Sequence, residues 1–373
     1  MALPASGQIS LGTNVNTELS LTSTAQISLG ATGVRNLYGV PTGAIRLAAD
    51  GYGKSSVWTG TISAPQSNLD LYTWATTVAS PAYPGSGAVQ VTVAPGVYVY
   101  ADGATGATVY GMSVPASFPS TVTVVNNGYI MGQGGYGTHW TSATTASGRT
   151  CGQSAINIAK PVTITNNSYI AGGGGGSGPA FPNPAAAQFR GGGAGGAGGG
   201  RGGDAWAAAP GPGGAGGTIG VSGSPGTRLA PAPGYLGGGG GGRILPGTGG
   251  TGMVLGTSAP LVNGGGAGAG GGHMNGISPN TNVVGSMAGG GGWGAAAGIS
   301  MIGTYGPRCA VNPGMFTTGT GGSAGSVGGN ATSTYGSAPP GLIYPGAAGG
   351  RAINLNANSV TWGATGTLYG SVA

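Results

Sequence analysis

The chain has 373 residues, 90 of them Gly and 25 Pro, with 11 Lys+Arg against 5 Asp+Glu and a net charge of +6. Glycine costs a helix interior ~1 kcal/mol per position relative to alanine, which excludes ordinary helical folds, and the lack of a strict Gly-X-Y period excludes collagen. With only 4% charged residues the chain also lacks the charge-rich composition of disordered proteins.

No run of ~18 apolar residues predicts a membrane-spanning helix. Met1-Ala2-Leu3-Pro4 lacks the basic and apolar regions of a secretory signal. Cys151 and Cys309 are too few and too far apart for a CxxC pair or a four-ligand zinc site, and a long-range bridge and two isolated thiols both stay open. The basic side chains are scattered along the chain, so they read as solvated groups and not as the clustered face of a nucleic-acid binder.

Residues 1–56 carry an internal repeat. Gln8-Ile9-Ser10-Leu11-Gly12 returns as Gln26-Ile27-Ser28-Leu29-Gly30 and, more loosely, as Ala44-Ile45-Arg46-Leu47. Between the copies Val15 and Leu19, then Val34 and Leu37, have the spacing of a short helical face. A unit this small is expected to need neighbours or a partner chain to bury a core, and it reads as a docking segment.

Residues 57–170 form a β-rich zone. Val89 to Val93 and Val97 to Tyr100 alternate, and Pro95-Gly96 between them predicts a hairpin turn. A second repeat closes the zone: Thr121 to Ile130 matches Pro161 to Ile170 at an offset of 40 residues. Each copy is a β-branched strand, a polar turn at Asn126-Asn127 or Asn166-Asn167, and then Tyr-Ile.

From 171 onward the composition changes, and 68 of the 90 glycines lie there. They fall into nine blocks, the first at Gly172 to Gly176 and the last at Gly346 to Gly350, with alanine almost the sole frequent guest. The segments between blocks hold the aromatic, Met and Pro residues and most of the charge. Glycine runs can adopt an extended left-handed helix with three residues per turn, whose outward-pointing backbone groups bond neighbouring helices into a lattice. A flexible low-complexity tract is the alternative. The recurrence of aromatics at the junctions favours the lattice, with loops projecting from its two ends.

An enzyme is not expected. The acids are Glu18, Asp50, Asp70, Asp102 and Asp204, scattered without the pairing that acid–base chemistry needs. His139 and His273 have no nucleophile or second ligand nearby in sequence, and no phosphate-binding GxxxxGK[ST] motif occurs. No cofactor and no metal site is expected.

The segments Val122 to Gly132 and Val162 to Gly176, each running into glycine, resemble the glycine-rich tail tip and tail-fibre proteins of tailed bacteriophages. The block-and-loop layout of 171–351 is similar to the long-tail-fibre adhesins of T-even-like phages. Met1 to Lys54 resembles the start of many phage tail structural proteins. The resemblance implies a polyglycine II bundle presenting variable, aromatic-rich loops to a bacterial surface receptor, an outer-membrane protein or lipopolysaccharide.

The expected organisation is a repeat-containing virion-docking segment (1–56), a β-rich domain (57–170), a polyglycine II bundle with variable loops (171–351), and C-terminal strands (352–373) closing onto the β domain. The expected fold is mostly β and irregular. The expected function is a non-enzymatic receptor-binding protein in the virion tail, contacting other tail proteins through 1–56, with homo-oligomerisation possible in principle. A structural fibre or decoration component without receptor contact is the rival reading, and an ice-binding bundle is disfavoured by the irregular loops. If successive blocks alternate in direction, the loops 179–190, 218–236, 253–263 and 293–318 share one end. They carry Phe181, Phe189, Arg228, Tyr235, Met253, Leu255, Trp293, Tyr305, Arg308 and Phe316 as candidate receptor contacts, residue types enriched at binding hot spots. The other end then receives 204–210, 244–246, 273–287 and 330–345.

Overall fold

A computed structural model describes residues 3, 9–40, 42–45, 57–103, 108–137, 139–140, 146–147, 150–176, 198, 216, 224 and 347–373, together with short strands between 275 and 344. In the N-terminal unit a π-helical turn at Leu11–Val15 runs into α1 (Asn16–Glu18), and α2 (Thr32–Tyr38) follows an extended connection. The repeated serines act alike. Ser10 Oγ accepts from the Thr13 amide at 3.2 Å and Ser28 Oγ from the Gly30 amide at 3.1 Å, each closing the turn that precedes a helix. Buried Asn16 donates to the Ala25 carbonyl at 2.8 Å and so pins the connection.

Ile9, Ile27 and Ile45, one from each copy, all pack against buried Leu3, Val15, Val34, Leu37 and Tyr38. The expectation that this unit lacks a core is therefore corrected. The 18-residue period brings the three isoleucines onto two helical faces, and that apolar area suffices for a small separate cluster.

Residues 57–131 and 153–171 build a β-solenoid that 352–372 completes. Its first turn has β1 (Val57–Ile62), β2 (Gln66–Ser67) and β3 (Leu69–Asp70), followed by α3 (Leu71–Thr77). Asp70 Oδ1 caps α3 through the Thr73 amide at 2.8 Å. The second turn has β4 (Ala88–Val93), β5 (Tyr98–Tyr100) and β6 (Met112–Val114). The third has β7 (Val122–Asn126) and β8 (Tyr129–Met131), then an excursion holding β9 (His139–Trp140) and β10 (Ala146–Ser147), then β11 (Ile156–Ile158). The fourth has β12 (Val162–Asn166) and β13 (Tyr169–Ala171). A much longer excursion then carries β14 (Asn275–Ile277), β15 (Val283–Ser286), β16 (Ser300–Thr304), β17 (Phe316–Thr317), β18 (Thr332–Ser333) and β19 (Ile343–Tyr344) before β20 (Ile353–Asn354). The last turn has β21 (Val360–Ala364) and β22 (Thr367–Tyr369).

The first four turns each add one strand to each of three parallel sheets, and the last adds one to the first two: β1-β4-β7-β12-β21, β2-β5-β8-β13-β22 and β3-β6-β11-β20. The inward positions of all three sheets, among them Val91, Val124, Ile164, Val99, Ile130, Ile170, Met112 and Ile156, form one buried core. Pro95-Gly96 is a corner of this solenoid, not a hairpin, since β4 and β5 lie in different sheets and each pairs in parallel with the next turn. Both outcomes suit the same alternation. The solenoid prevails because it buries the Val faces of three turns against one another, whereas a lone hairpin leaves one face in water.

The repeat at offset 40 is the stacking of two turns: Thr123 to Asn126 pair with Thr163 to Asn166, and Tyr129-Ile130 with Tyr169-Ile170. At the corner the asparagines form a ladder. Buried Asn126 donates to Asn166 Oδ1 at 2.8 Å, and Asn166 donates to the Thr365 carbonyl at 2.7 Å. Those bonds satisfy side-chain N–H donors that the turn withdraws from water, while Asn126 Oδ1 is left without a partner.

Where the second sheet ends, the chain continues into glycine. Segments 132–137 and 172–176 run outward from β8 and β13, and 150–155 and 347–352 return towards β11 and β20. Their backbone bonds recur every third residue. Gly132 and Gly135 donate to Ala171 and Gly174, Gln153 and Thr150 to Gln133 and Tyr136, Gly173 and Gly176 to Gln153 and Thr150, and Gly350 and Ala347 to Gly173 and Gly176. A strand within a sheet has two neighbours. Segment 172–176 bonds to 132–137, 150–155 and 347–352 and, at its base, to Tyr369, so these segments form a layered array and not another sheet.

Candidate functional site

At its glycines the array leaves no room for side chains. A Cβ on Gly132, Gly135, Gly152, Gly173, Gly175 or Gly176 would fall on a neighbouring backbone carbonyl, well inside the 3.0 Å that real Cβ atoms respect. Only glycine allows this approach, so the array is a backbone-bonded stem. Its base is clamped by Gln133, 3% exposed, which donates to the Gly103 carbonyl and accepts from the Gly103 amide, both at 3.0 Å. Gln133 also donates to the Tyr136 hydroxyl, which in turn donates to the Gly103 carbonyl at 3.0 Å. One side-chain amide thereby stands in for a missing strand.

At the outer end the four passes of the chain are tied in a row. The Thr150 amide donates to Tyr136 at 3.1 Å, the Gly176 amide to Thr150 at 3.2 Å and the Ala347 amide to Gly176 at 3.0 Å. The Tyr136 amide donates to Thr150 Oγ1 at 2.8 Å. From this cross-section depart both excursions, 138–149 and 177–346. The first holds the antiparallel β9–β10 pair, Trp140 opposite Ala146 and His139 opposite Ser147. The second re-enters through β19, which precedes Ala347 by three residues. β19 pairs with β16, β16 with β15 and β15 with β14, and β17 pairs with β18, all antiparallel.

This sheet corrects the division of loops between two ends. It joins strands of 273–287 and 330–345 to a strand of 293–318, segments that strict alternation puts at opposite ends. The count of passes agrees: nine alternating blocks would leave 347–350 parallel to 172–176, and the two are antiparallel. The physical reason is that short loop segments with open backbone edges pair with each other, and strand pairing overrides a bookkeeping of blocks. Of the candidate contacts, Phe316 lies in β17. Phe181, Phe189, Arg228, Tyr235, Met253, Leu255, Trp293, Tyr305 and Arg308 lie outside the described residues.

Residues that the sequence did not single out line the outer face of the second sheet. Tyr98, Tyr129, Tyr169 and Tyr369 form a ladder, with ring centroids 4.9, 4.4 and 6.1 Å apart in succession. The Tyr-Ile of the offset-40 repeat was the available signal, as it sets Tyr129 beside Tyr169. Burial, and secondarily the neighbouring phenols of Tyr129, Tyr98 and Tyr369, push the Tyr169 hydroxyl far above its ordinary pKa. Burial lowers the pKa of Lys160, whose Nζ donates to the Phe118 carbonyl at 2.6 Å and to that of Ser120, stapling two turns. Cys151 is an exposed free thiol. Among the described residues no three of His, Cys, Asp and Glu come together in a way that could hold a metal.

The glycine array carries the two excursions away from one corner of the solenoid, between the second and third sheets at its third and fourth turns. The family described as "Phage tail fibre adhesin Gp38" matches residues 58–243, about half of the chain, covering the first three turns of the solenoid, β12 and β13 of the fourth, and the opening of the glycine tract. The chain is identified as a phage tail-fibre adhesin of that family and a component of the virion tail. Among solved structures, the gp37-gp38 adhesin tip complex of the bacteriophage S16 long tail fiber matches with 16% identity and a TM-score of 0.38, over 99% of this chain and 100% of that one. No curated protein matches.

Proposed function

We propose that the protein is a non-enzymatic receptor-binding adhesin that recognises a bacterial surface receptor, an outer-membrane protein or lipopolysaccharide, through loops of 177–346. One observation carries this reading: the tract leaves and re-enters the solenoid side by side through segments whose glycine backbones meet too closely for a Cβ, so its loops are held on a stiff stem. A rigid presenter lowers the ordering cost of binding. The three-residue spacing of the stem's bonds supports extending the same lattice through 171–351 as a polyglycine II bundle. Residues 1–56, with their own small core, are proposed to dock to other tail proteins.

Phe181, Phe189, Arg228, Tyr235, Met253, Leu255, Trp293, Tyr305, Arg308 and Phe316 are retained as proposed contacts. The joining of 293–318 to the strands beside Ala347 favours the later four. Replacing Trp293, Tyr305, Arg308 and Phe316 together with alanine is expected to reduce adsorption to the host while virions assemble normally. Wild-type adsorption by that virion would overturn the assignment.

A further inference from the structure

The tyrosine ladder on the outer face of the second sheet has no part in the proposed host contact. Three of its rungs are in strict register: Tyr98 lies opposite Tyr129 on β5 and β8, and Tyr129 opposite Tyr169 on β8 and β13. Strands ~4.8 Å apart set such rings over one another. The centroids of Tyr98 and Tyr129 stand 4.9 Å apart with 26° between the planes, those of Tyr129 and Tyr169 4.4 Å apart with 35°. Other tyrosine pairs meet edge to face, Tyr169–Tyr369 at 6.1 Å and 67° and Tyr72–Tyr83 at 6.3 Å and 82°. Tyr98 and Tyr129 are half-buried, whereas Tyr169 is only 9% exposed. The first pair also sits at the root of the stem. Gly132 follows Tyr129 by three residues, and Gly103, held by Gln133, follows Tyr98 by five.

We propose that Tyr98 and Tyr129 are a site of oxidative modification, at which a one-electron oxidant joins the two rings into an intramolecular dityrosine. Each phenol gives one electron to the oxidant and its hydroxyl proton to water, leaving a neutral phenoxyl radical. The unpaired spin is shared between the oxygen and the ring carbons ortho and para to it. One ortho carbon (Cε) of each ring contributes its electron to a new C–C bond. The hydrogens on the two joined carbons then shift to the phenolic oxygens, which restores both aromatic rings and both hydroxyls. The net change is the loss of two electrons and two protons. Facing rings suit this step, because the half-filled orbitals stand perpendicular to the ring planes and point at each other. Holding the rings together makes the coupling unimolecular, so it outruns encounters between molecules. Tyr98 and Tyr129 are favoured over Tyr129 and Tyr169, since burial of the Tyr169 ring denies its proton a direct path to water. The new bond ties the second turn to the third where the stem begins. The proposal does not depend on how the tract meets a host.

The test uses the full-length protein, oxidised briefly by photogenerated tris(bipyridyl)ruthenium(III) with persulfate as the terminal electron acceptor. Cyanogen bromide then cleaves after Met112 and Met131, both fully buried and so shielded from oxidation to the sulfoxide. A Tyr98–Tyr129 bond joins fragment 2–112 to 113–131, two hydrogens lighter than their sum, whereas a Tyr129–Tyr169 bond joins 113–131 to 132–253. The first joined product is expected to dominate, with dityrosine fluorescence and a yield independent of protein concentration. Tyr98→Phe and Tyr129→Phe keep the stacked rings, and each is expected to lower that yield about tenfold or more, because the oriented partner is gone. Tyr72→Phe is expected to leave it unchanged. Predominance of 113–131 joined to 132–253 overturns the assignment of the pair. Wild-type yield from Tyr98→Phe does the same. Equal yield from protein unfolded in urea, or consumption of tyrosine without joined fragments, overturns the proposal altogether.

Discussion

Gly173→Ala is the sharpest perturbation of the stem. The new methyl carbon would meet the Gln133 carbonyl oxygen and carbon and the Gly134 nitrogen, all within 3.0 Å and all backbone, so no side chain can swing aside. Relief requires 172–176 to move away from 132–137. That movement breaks or weakens four bonds: Gly173 to Gln153 (2.9 Å), Gly350 to Gly173 (2.7 Å), Gly132 to Ala171 (2.8 Å) and Gly135 to Gly174 (2.7 Å). At ~1 kcal/mol each the loss is about 4 kcal/mol. Alanine recovers ~1 kcal/mol by restricting the unfolded chain, so the net destabilisation is about 3 kcal/mol. Against a typical unfolding free energy of ~5–15 kcal/mol this is a large fraction.

Two other glycines serve as controls within the same chain. At Gly30 a Cβ would sit 3.5 Å from Ser28 Oγ in ordinary contact, so Gly30→Ala is expected within about 0.5 kcal/mol of wild type. At exposed Gly33, inside α2, the nearest atoms are Leu19 methyls at 3.9 Å, so alanine should stabilise the N-terminal unit by ~0.5–1 kcal/mol. Urea unfolding of the full chain measures the magnitudes, and hydrogen exchange at 132–137 and 172–176 locates the damage. If Gly173→Ala proves as neutral as Gly30→Ala, the close approach of backbones in the stem is wrong.

Gln133→Ala should cost about 2–3 kcal/mol, since truncation removes three part-buried hydrogen bonds; thermal melting checks the size, and faster exchange of the Gly103 amide checks the place. Tyr169 carries an alkaline signature. Its folded pKa is raised, so its contribution to stability is complete below the unfolded value of ~10 and is lost as pH rises towards the folded value. Tyr169→Phe should shift the onset of alkaline unfolding upward, and an unchanged onset would assign it to other groups.

Individual elements differ in how far they were readable. The Val-Thr strands at 122–126 and 162–166 and the Tyr-Ile pairs after them were legible because alternation and a fixed offset leave a trace in the sequence whatever the partner. The same trace could not distinguish a hairpin from a solenoid corner at Pro95-Gly96. Alternation records that one face is buried and says nothing of whether the covering strand precedes or follows by one turn. Nor could the spacing of Tyr98, Tyr129, Tyr169 and Tyr369, far apart and unequal in sequence, announce a ladder that exists only across four stacked turns.

The glycine blocks show the division most clearly. For the described glycine segments 132–137 and 172–176, composition pointed to bonding through backbone, because residues without side chains offer no other means of association. It could not determine which segments meet, since one glycine run is chemically the same as another. That choice was made by the solenoid: the positions of β8, β11, β13 and β20 fix where 132–137, 150–155, 172–176 and 347–352 begin or end, and so which backbones face each other. For the same reason the pairing of 150–155 with 172–176 and 347–352 was invisible in the sequence. It is set by parallel stacking of turns, a relation between residues far apart in sequence that only the packed core imposes.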